Sequence, residues 1–337
     1  MDIIKKLTIG LIGSGMYARV HANAYRSDSR TVLKVLWSPT KSHREEAASE
    51  LGCTAAETWQ EIINDSSIDC ISVSTPDFAH TEYAVAALNA GKHVLLEKPM
   101  AMTSSDCEKI IAARDRSGKN LMVNYHNRWY PAFKTAREAI SSGKIGKPVC
   151  CNFVLSNTIS WVEGNMTWAD KSGPEWFLMP HIVDLALWVL KDKPVEIFSM
   201  MREGLLKSKG FMTRDLVKAT MKLESGTIAD FESSWVLAKN WRNPVNDMWA
   251  SIQGESGRVD IVADFESYTI TSSENYQTPF LLNYLTQDPP IHDFITCIID
   301  NKESPVTGEE GLLVTKSIEA VIKSYIEKRI VYFDEIE

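Results

Sequence analysis

No stretch of this 337-residue chain is apolar for long enough to cross a bilayer. Its start, Met1-Asp2-Ile3-Ile4-Lys5-Lys6, runs into a strand pattern without the apolar core of a signal peptide. Positive charge is scarce. Lys and Arg number 36 against 44 Asp and Glu, a net charge of −8 and the wrong sign for binding a phosphate backbone. The six cysteines (53, 70, 107, 150, 151 and 297) lack the paired spacing of a zinc site. Cys150 and Cys151 are neighbours in a strand pattern and face opposite ways. No cluster of His, Asp and Glu has ligand spacing, and neither internal repeats nor low-complexity stretches occur. These absences predict a cytoplasmic protein with reduced thiols, no metal, no membrane span and no nucleic-acid partner. The length suggests two domains.

Over the first third, short apolar runs alternate with helical patterns, which predicts a parallel sheet. Strands are expected at 7–12, 32–37, 53–55, 69–74, 93–97 and 120–124. Helices are expected at 16–27, 42–51, 58–64, 78–91 and 104–116. Ser105 and Glu108 have capping-box spacing, and Gly91 and Gly118 stand where helices should stop. After Arg128-Trp129-Tyr130-Pro131 the texture changes. A helix at 132–142 leads to long strand-like segments at 147–160, 195–203, 215–236, 247–262 and 267–272, with turns at Glu224-Ser225-Gly226 and Glu255-Ser256-Gly257. An amphipathic helix from His181 to Leu190 interrupts them, and helices at 292–300 and 308–327 close the chain. The expected architecture is α/β: a doubly wound parallel sheet over residues 1–124, then an α+β domain over 125–337 with a large, mostly antiparallel sheet and helices on one face.

The first strand, Leu7 to Ile12, ends in Gly13-Ser14-Gly15-Met16-Tyr17-Ala18. Gly13 suits a tight strand-to-helix turn, Gly15 a close approach of backbone to a pyrophosphate, and Ala18 a helix packed close to the sheet. The N–H groups of the helix start, around Met16 and Tyr17, would face the phosphates. NAD-selective folds of this kind carry an acid at the end of the second strand. Here that strand ends in Trp37, Ser38, Pro39, Thr40, Lys41, Ser42, His43 and Arg44, which offer hydroxyls and cations but no carboxylate. That composition leans towards NADP, with NAD as the alternative. Four strands on, the run His93 to Leu96 ends in Glu97-Lys98-Pro99, a paired acid and lysine at a strand end where such sheets present their residues to ligands.

Together these residues resemble the glucose–fructose oxidoreductase, inositol dehydrogenase and MocA-like family over nearly the whole chain. The resemblance rests on Gly13-x-Gly15-x-x-Ala18, Ser74-Thr75-Pro76-Asp77-Phe78-Ala79-His80, the highly specific run Ala90 to Pro99, Asn124-x-x-x-Arg128, and His181-x-x-Asp184-Leu185-Ala186-Leu187-Trp188. It implies a Rossmann domain. Thr75, Pro76, His80, Glu97, Lys98 and Asn124 would border the cofactor, and Lys98 would lie beside the nicotinamide and the reacting hydroxyl. A cis bond between Lys98 and Pro99 would follow, as in relatives. A desolvated lysine near a cationic ring has a lowered pKa and can carry the alcohol proton, while Glu97 would orient it.

By the same resemblance His181 is the candidate general base, with Asp184 on the same helical face. The chain departs from its relatives in one respect. Many of them carry an aspartate four residues before this histidine, and here that residue is Phe177. Two arrangements stay open: Lys98 as the main proton-transfer group, or Asp184 supplying the orientation. Lys98, Tyr125, Arg128, Trp161, Trp168, Trp176 and His181 are the candidate substrate contacts, since aromatic faces and polar groups suit a polyhydroxylated ring. The expected activity is NAD(P)-dependent hydride transfer at a secondary alcohol or hemiacetal carbon of a sugar, cyclitol or related polyol. The alternatives are a hydrolase or lyase that recycles its cofactor through transient oxidation, and a non-catalytic NAD(P)-binding regulator. Relatives associate through the open face of the second sheet, which implies a homodimer or homotetramer. Ala219, Met221 and Leu223 are candidates for that face or for the face packed on helices.

Overall fold

A computed structural model describes residues 6–263, 267–272, 276–277 and 288–336. The approach of residues 1–5 to the first strand lies outside the described residues. The chain forms two compact units. One holds residues 1–126 and 286–312, and the other 127–285 and 313–337.

In the first unit, β1 (Leu7–Ile12), α1 (Met16–Ser27), β2 (Thr31–Trp37), α2 (Lys41–Leu51), β3 (Thr54–Ala55) and α3 (Trp59–Asn64) form one half. β4 (Cys70–Val73), α4 (His80–Asn89), β5 (His93–Glu97), α5 (Ser104–Ser117) and β6 (Leu121–Asn124) form the other. The strands make one parallel sheet in the order β3-β2-β1-β4-β5-β6. Ile9, Leu11, Ile71, Val73, Leu95, Leu96 and Val123 are all buried, as strands covered on both faces require. The order reverses between β1 and β4, so a crevice is expected beyond their carboxyl ends.

Two local readings are corrected. The cap of α5 is Thr103, whose hydroxyl accepts from Asp106 N at 3.1 Å, and not Ser105, because Thr103 is the last residue with extended backbone. The segment expected as a helix from 78 is a 3-10 turn, Asp77–Ala79, before α4 begins at His80.

The second unit begins with a 3-10 turn over His126–Trp129 and α6 (Pro131–Ser141). β7 (Pro148–Thr158) is followed by three helices missing or shifted in the sequence reading: α7 (Ile159–Asn165), α8 (Pro174–Phe177) and α9 (Met179–Leu190), the last starting two residues before His181. Then come β8 (Pro194–Arg202), α10 (Leu205–Ser208), β9 (Leu216–Leu223), β10 (Ile228–Leu237), β11 (Asn246–Gly254), β12 (Gly257–Val262), β13 (Ser267–Ser272) and β14 (Tyr276–Gln277). α11 (Asp288–Ile299) returns to the first unit, α12 (Gly308–Glu327) follows, and β15 (Val331–Tyr332) closes the second sheet.

That sheet has nine strands in the order β14-β13-β12-β11-β7-β10-β9-β8-β15, antiparallel except where β7 and β10 run parallel. Its covered face carries Phe153, Leu155, Ala219, Met221, Leu223, Phe231 and Ile252, all buried, with α9 packed on β7 and β10. Ala219, Met221 and Leu223 therefore belong to the helix side. Lys218, Thr220 and Lys222 alternate with them and are exposed, while Phe198, Met200 and Tyr332 are apolar groups left exposed on β8 and β15.

Candidate active site

The turn after β1 is shaped by close backbone contact. Gly13 has φ +130°, and a Cβ there would lie 2.6 Å from Ser74 O. Gly15, by contrast, would place a Cβ in open space, and α1 begins with no side chain capping its N–H groups. Ala18 is fully buried, so the helix lies close to the sheet. A cradle of this form, a glycine turn feeding a helix N-terminus with room for backbone approach, fits a dinucleotide pyrophosphate. Met16 is exposed at its mouth, and the Tyr17 ring lies 6.3 Å from that of His126. Among the described residues the buried Thr75 hydroxyl, just past the end of β4, has no hydrogen-bond partner.

At the end of β2, Ser38 accepts a hydrogen bond from Ser14 Oγ at 2.9 Å, and Thr40 is exposed. Trp37 is buried edge-on to Tyr83, and its indole N–H donates to Glu57 O at 3.2 Å. Arg44 is buried with its guanidinium on the Glu57 carboxylate. The carboxylate missing from the β2 segment thus arrives from the chain beyond β3, and it occupies one of the cations expected there.

Lys98, buried at the end of β5, follows a carboxylate that gathers donors from three elements. Glu97 Oε1 accepts from His21 Nε2 of α1 at 2.8 Å and from Asn124 Nδ2 of β6 at 2.7 Å. Its Oε2 accepts from Lys98 N at 3.2 Å. Burial raises the Glu97 pKa, but the His21 hydrogen bond and the neighbouring positive groups outweigh it and bring the carboxyl down to about 2. Burial also lowers the Lys98 amine from 10.5 to about 8, with Glu97 and Asp77 pulling the other way. His126, buried nearby, falls to about 4 and is neutral at working pH. The Lys98–Pro99 bond is cis. His80 is buried with Nδ1 2.7 Å from Pro99 O and Nε2 2.9 Å from Thr75 O, so its ring ties two backbone segments together. Tyr125 is buried as well.

In the second unit, α9 carries His181 and Asp184 one turn apart, both buried. Asp184 takes a two-pronged pair from Arg128, with Nε at 2.9 Å and Nη2 at 2.5 Å. This joins two residues of different expected roles into one ion pair. His181 Nδ1 lies 3.2 Å from Asn127 Nδ2. The amide donates, so a neutral ring keeps its proton on Nε2. Phe177 is the hub of an aromatic cluster, with ring centroids 5.7 Å from Trp161, 5.7 Å from Trp168 and 6.0 Å from Trp235. Trp161 and Trp168 are half-buried, whereas Trp176 is buried.

Sequence reasoning missed His21, Asn127 and Trp235. His21 sits on the same stripe of α1 as Ala18, Ala22 and Tyr25, and a histidine among residues so small and apolar was the available signal. A cavity of about 620 Å³ in the first unit, lined by Leu7, Asp69, Lys92, His93 and Lys119 among others, opens at the amino ends of β1 and β5. That is the end of the sheet away from Gly13 and Lys98. Among the described residues no group of His, Cys, Asp and Glu could hold a metal, the cysteines are free thiols, and no helix is long and apolar enough to cross a membrane.

Two family matches divide the chain much as its two sheets do. Residues 7–125 match the oxidoreductase family with an NAD-binding Rossmann fold, and residues 133–260 match the GFO/IDH/MocA C-terminal domain. The chain belongs to the Gfo/Idh/MocA oxidoreductase family. A 1,5-anhydro-D-fructose reductase of Ensifer adhaerens is 31% identical over 232 residues, covering 67% of this chain and 68% of that one. The scyllo-inositol 2-dehydrogenase (NADP(+)) IolW of Bacillus subtilis (strain 168) is 26% identical over 99% of this chain and 97% of its own. Among solved structures, a levoglucosan dehydrogenase in complex with NADH and levoglucosan has a TM-score of 0.89 at 21% identity, covering 98% of this chain and 100% of that one, and it shares the fold. The Gfo/Idh/MocA chain is thus an oxidoreductase with a Rossmann nucleotide unit.

Proposed function

We propose that this Gfo/Idh/MocA chain moves a hydride between a nicotinamide dinucleotide and a secondary alcohol or hemiacetal carbon of a sugar, cyclitol or related polyol. The carrying observation is Lys98, a buried amine whose pKa falls to about 8 beside a carboxylate held at about 2. The relatives named for anhydrofructose and inositol support the substrate class.

Gly13, Gly15, Met16, Tyr17 and Ala18 would hold the pyrophosphate, and Trp37, Ser38 and Thr40 the adenosine end. Thr75, Pro76, Glu97 and Asn124 would border the rest. When bound, the nicotinamide supplies the hydride acceptor or donor. In oxidation, the neutral Lys98 amine takes the hydroxyl proton as the C–H bond gives up its hydride, leaving a ketone or lactone and a lysine ammonium. In reduction the same ammonium returns the proton. His181 is the second proposed proton-transfer group, with the Asn127 amide at its Nδ1. Asp184, paired with Arg128, acts by fixing α9 and not by taking a proton. Tyr125 in the first unit, and Trp161, Trp168 and Trp176 in the second, are the proposed substrate contacts.

NADP is the proposed form, supported by the hydroxyls of Ser38 and Thr40 and the exposed Lys41 and His43. Glu57 competes for Arg44. The Glu57→Gln variant should therefore raise NADP affinity relative to NAD. We also propose a cytoplasmic homodimer or homotetramer formed through the open face of the nine-stranded sheet, where Phe198 and Met200 are exposed. Sedimentation of wild type and Met200→Glu tests the association.

The deciding experiment identifies nucleotide released on denaturation by mass spectrometry, alongside tryptophan-quenching titrations with NAD and NADP. Reversible binding of one nucleotide is expected. Turnover is then sought with scyllo-inositol, 1,5-anhydro-D-fructose and levoglucosan. Absence of binding to either nucleotide refutes the reading.

A further inference from the structure

We propose that His21 is a positioning residue for Lys98, acting through the Glu97 carboxylate from the helix that begins at the glycine turn. This rests on the reading that Lys98 carries the reacting proton.

The geometry is closed on every side. His21 is fully buried, with Nε2 2.8 Å from Glu97 Oε1 and Nδ1 2.7 Å from Ser72 Oγ on β4. A carboxylate only accepts, so Nε2 bears a proton, and the Ser72 hydroxyl is the partner of Nδ1. Asn124 Nδ2 reaches the same Glu97 oxygen at 2.7 Å, and Lys98 N–H reaches the other. Helix α1 and strands β5 and β6 therefore meet at one buried carboxylate, with β4 joined through Ser72 on His21, the member that ties the carboxylate to the nucleotide helix.

A buried carboxylate stays ionised only while its donors outweigh desolvation. The charged groups around Lys98 are Glu97 beside it on β5 and Asp77 before α4, while His126 after β6 is neutral at working pH. Of these, Glu97 is the larger opposing influence on Lys98. His80, on α4, has both ring nitrogens on backbone carbonyls. Without the His21 donor the Glu97 carboxylate is held less firmly beside Lys98, its counter-charge acts less strongly, and the Lys98 midpoint falls below the wild-type value. A purely structural histidine would change stability and leave that midpoint in place.

The test compares His21→Gln, whose amide can reach Glu97 as Nε2 does, with His21→Asn, whose shorter amide reaches only as far as Nδ1. [13Cε]-lysine NMR follows Lys98, assigned by its loss in Lys98→Met. The expected result is a midpoint near the wild-type value in His21→Gln and one lower by about a pH unit in His21→Asn. Equal midpoints in both folded variants overturn the proposal. The pH–rate midpoint on the most active polyol of the panel above should track the NMR midpoint. If the NMR midpoint moves and the rate profile does not, the positioning role stands and the assignment of Lys98 as proton carrier falls.

Discussion

Replacing Lys98 with methionine should make the protein more stable at neutral pH while removing its activity. The amine's fall from 10.5 to about 8 corresponds to about 3 kcal/mol, at about 1.4 kcal/mol per pH unit. The sign follows from proton counting. Between pH 8 and 10.5 the unfolded chain holds a proton on Lys98 that the folded chain has released, so wild-type stability rises with pH across that window. Below pH 8 both states hold the proton, and the folded state bears the whole penalty of a buried ammonium. Lys98→Met has no such group. Its stability advantage should be largest at pH 7 and shrink by about 3 kcal/mol by pH 10.5. Urea unfolding of both proteins at pH 7, 8, 9 and 10, followed by tryptophan emission, measures the difference, and titrations common to both cancel. For a unit of this size the advantage at pH 7 amounts to a Tm shift of roughly 6–12 °C. A difference that stays flat from pH 7 to 10 refutes the idea that Lys98 is held against its charge.

Lys98→Ala should abolish turnover, whereas His181→Ala should lower it by roughly a hundredfold or less; equal, small losses in steady-state rate for both would sink the assignment. Gly13→Ala should destabilise the first unit, because φ +130° and a Cβ 2.6 Å from Ser74 O allow no relaxed fit, while Gly15→Ala should melt normally and bind nicotinamide dinucleotide more weakly. Thermal melts and fluorescence titration separate the two. Arg128→Ala should cost about 3–5 kcal/mol by stranding buried Asp184, and Arg128→Leu with Asp184→Leu should recover much of that in urea unfolding.

Legibility from sequence followed the range of the forces involved. β1, β5 and α1 fall at their expected bounds because a run such as Val94-Leu95-Leu96 ended by Glu97 is a local signal. The helices α7, α8 and α10 are too short to show a helical period in the sequence, and α7 and α8 take their burial from the sheet strands they pack on. The individual residues Arg128, Asp184 and Arg44 stood out by type. Their pairings did not, because Arg44 meets a carboxylate thirteen residues away and Arg128 one fifty-six residues away. His21 stood out only as a histidine on an apolar stripe, and its role did not show because its partners Ser72 and Glu97 lie 51 and 76 residues downstream.

The return of α11 to the first unit sets the order in which the protein can be made. Arg30 donates to Thr296 Oγ1 and to the His292 carbonyl, and Asn120 donates to the Lys302 carbonyl, so the nucleotide unit draws on residues synthesised long after its sheet. Its last part ends at residue 312 of 337. Domains that are continuous segments can fold as soon as they emerge from the ribosome. Here the side of α1 that receives α11 waits uncovered while the whole run of strands from β7 to β14 is translated. The unit at the N-terminus thus cannot be completed until residue 312 has been translated, after most of the second unit.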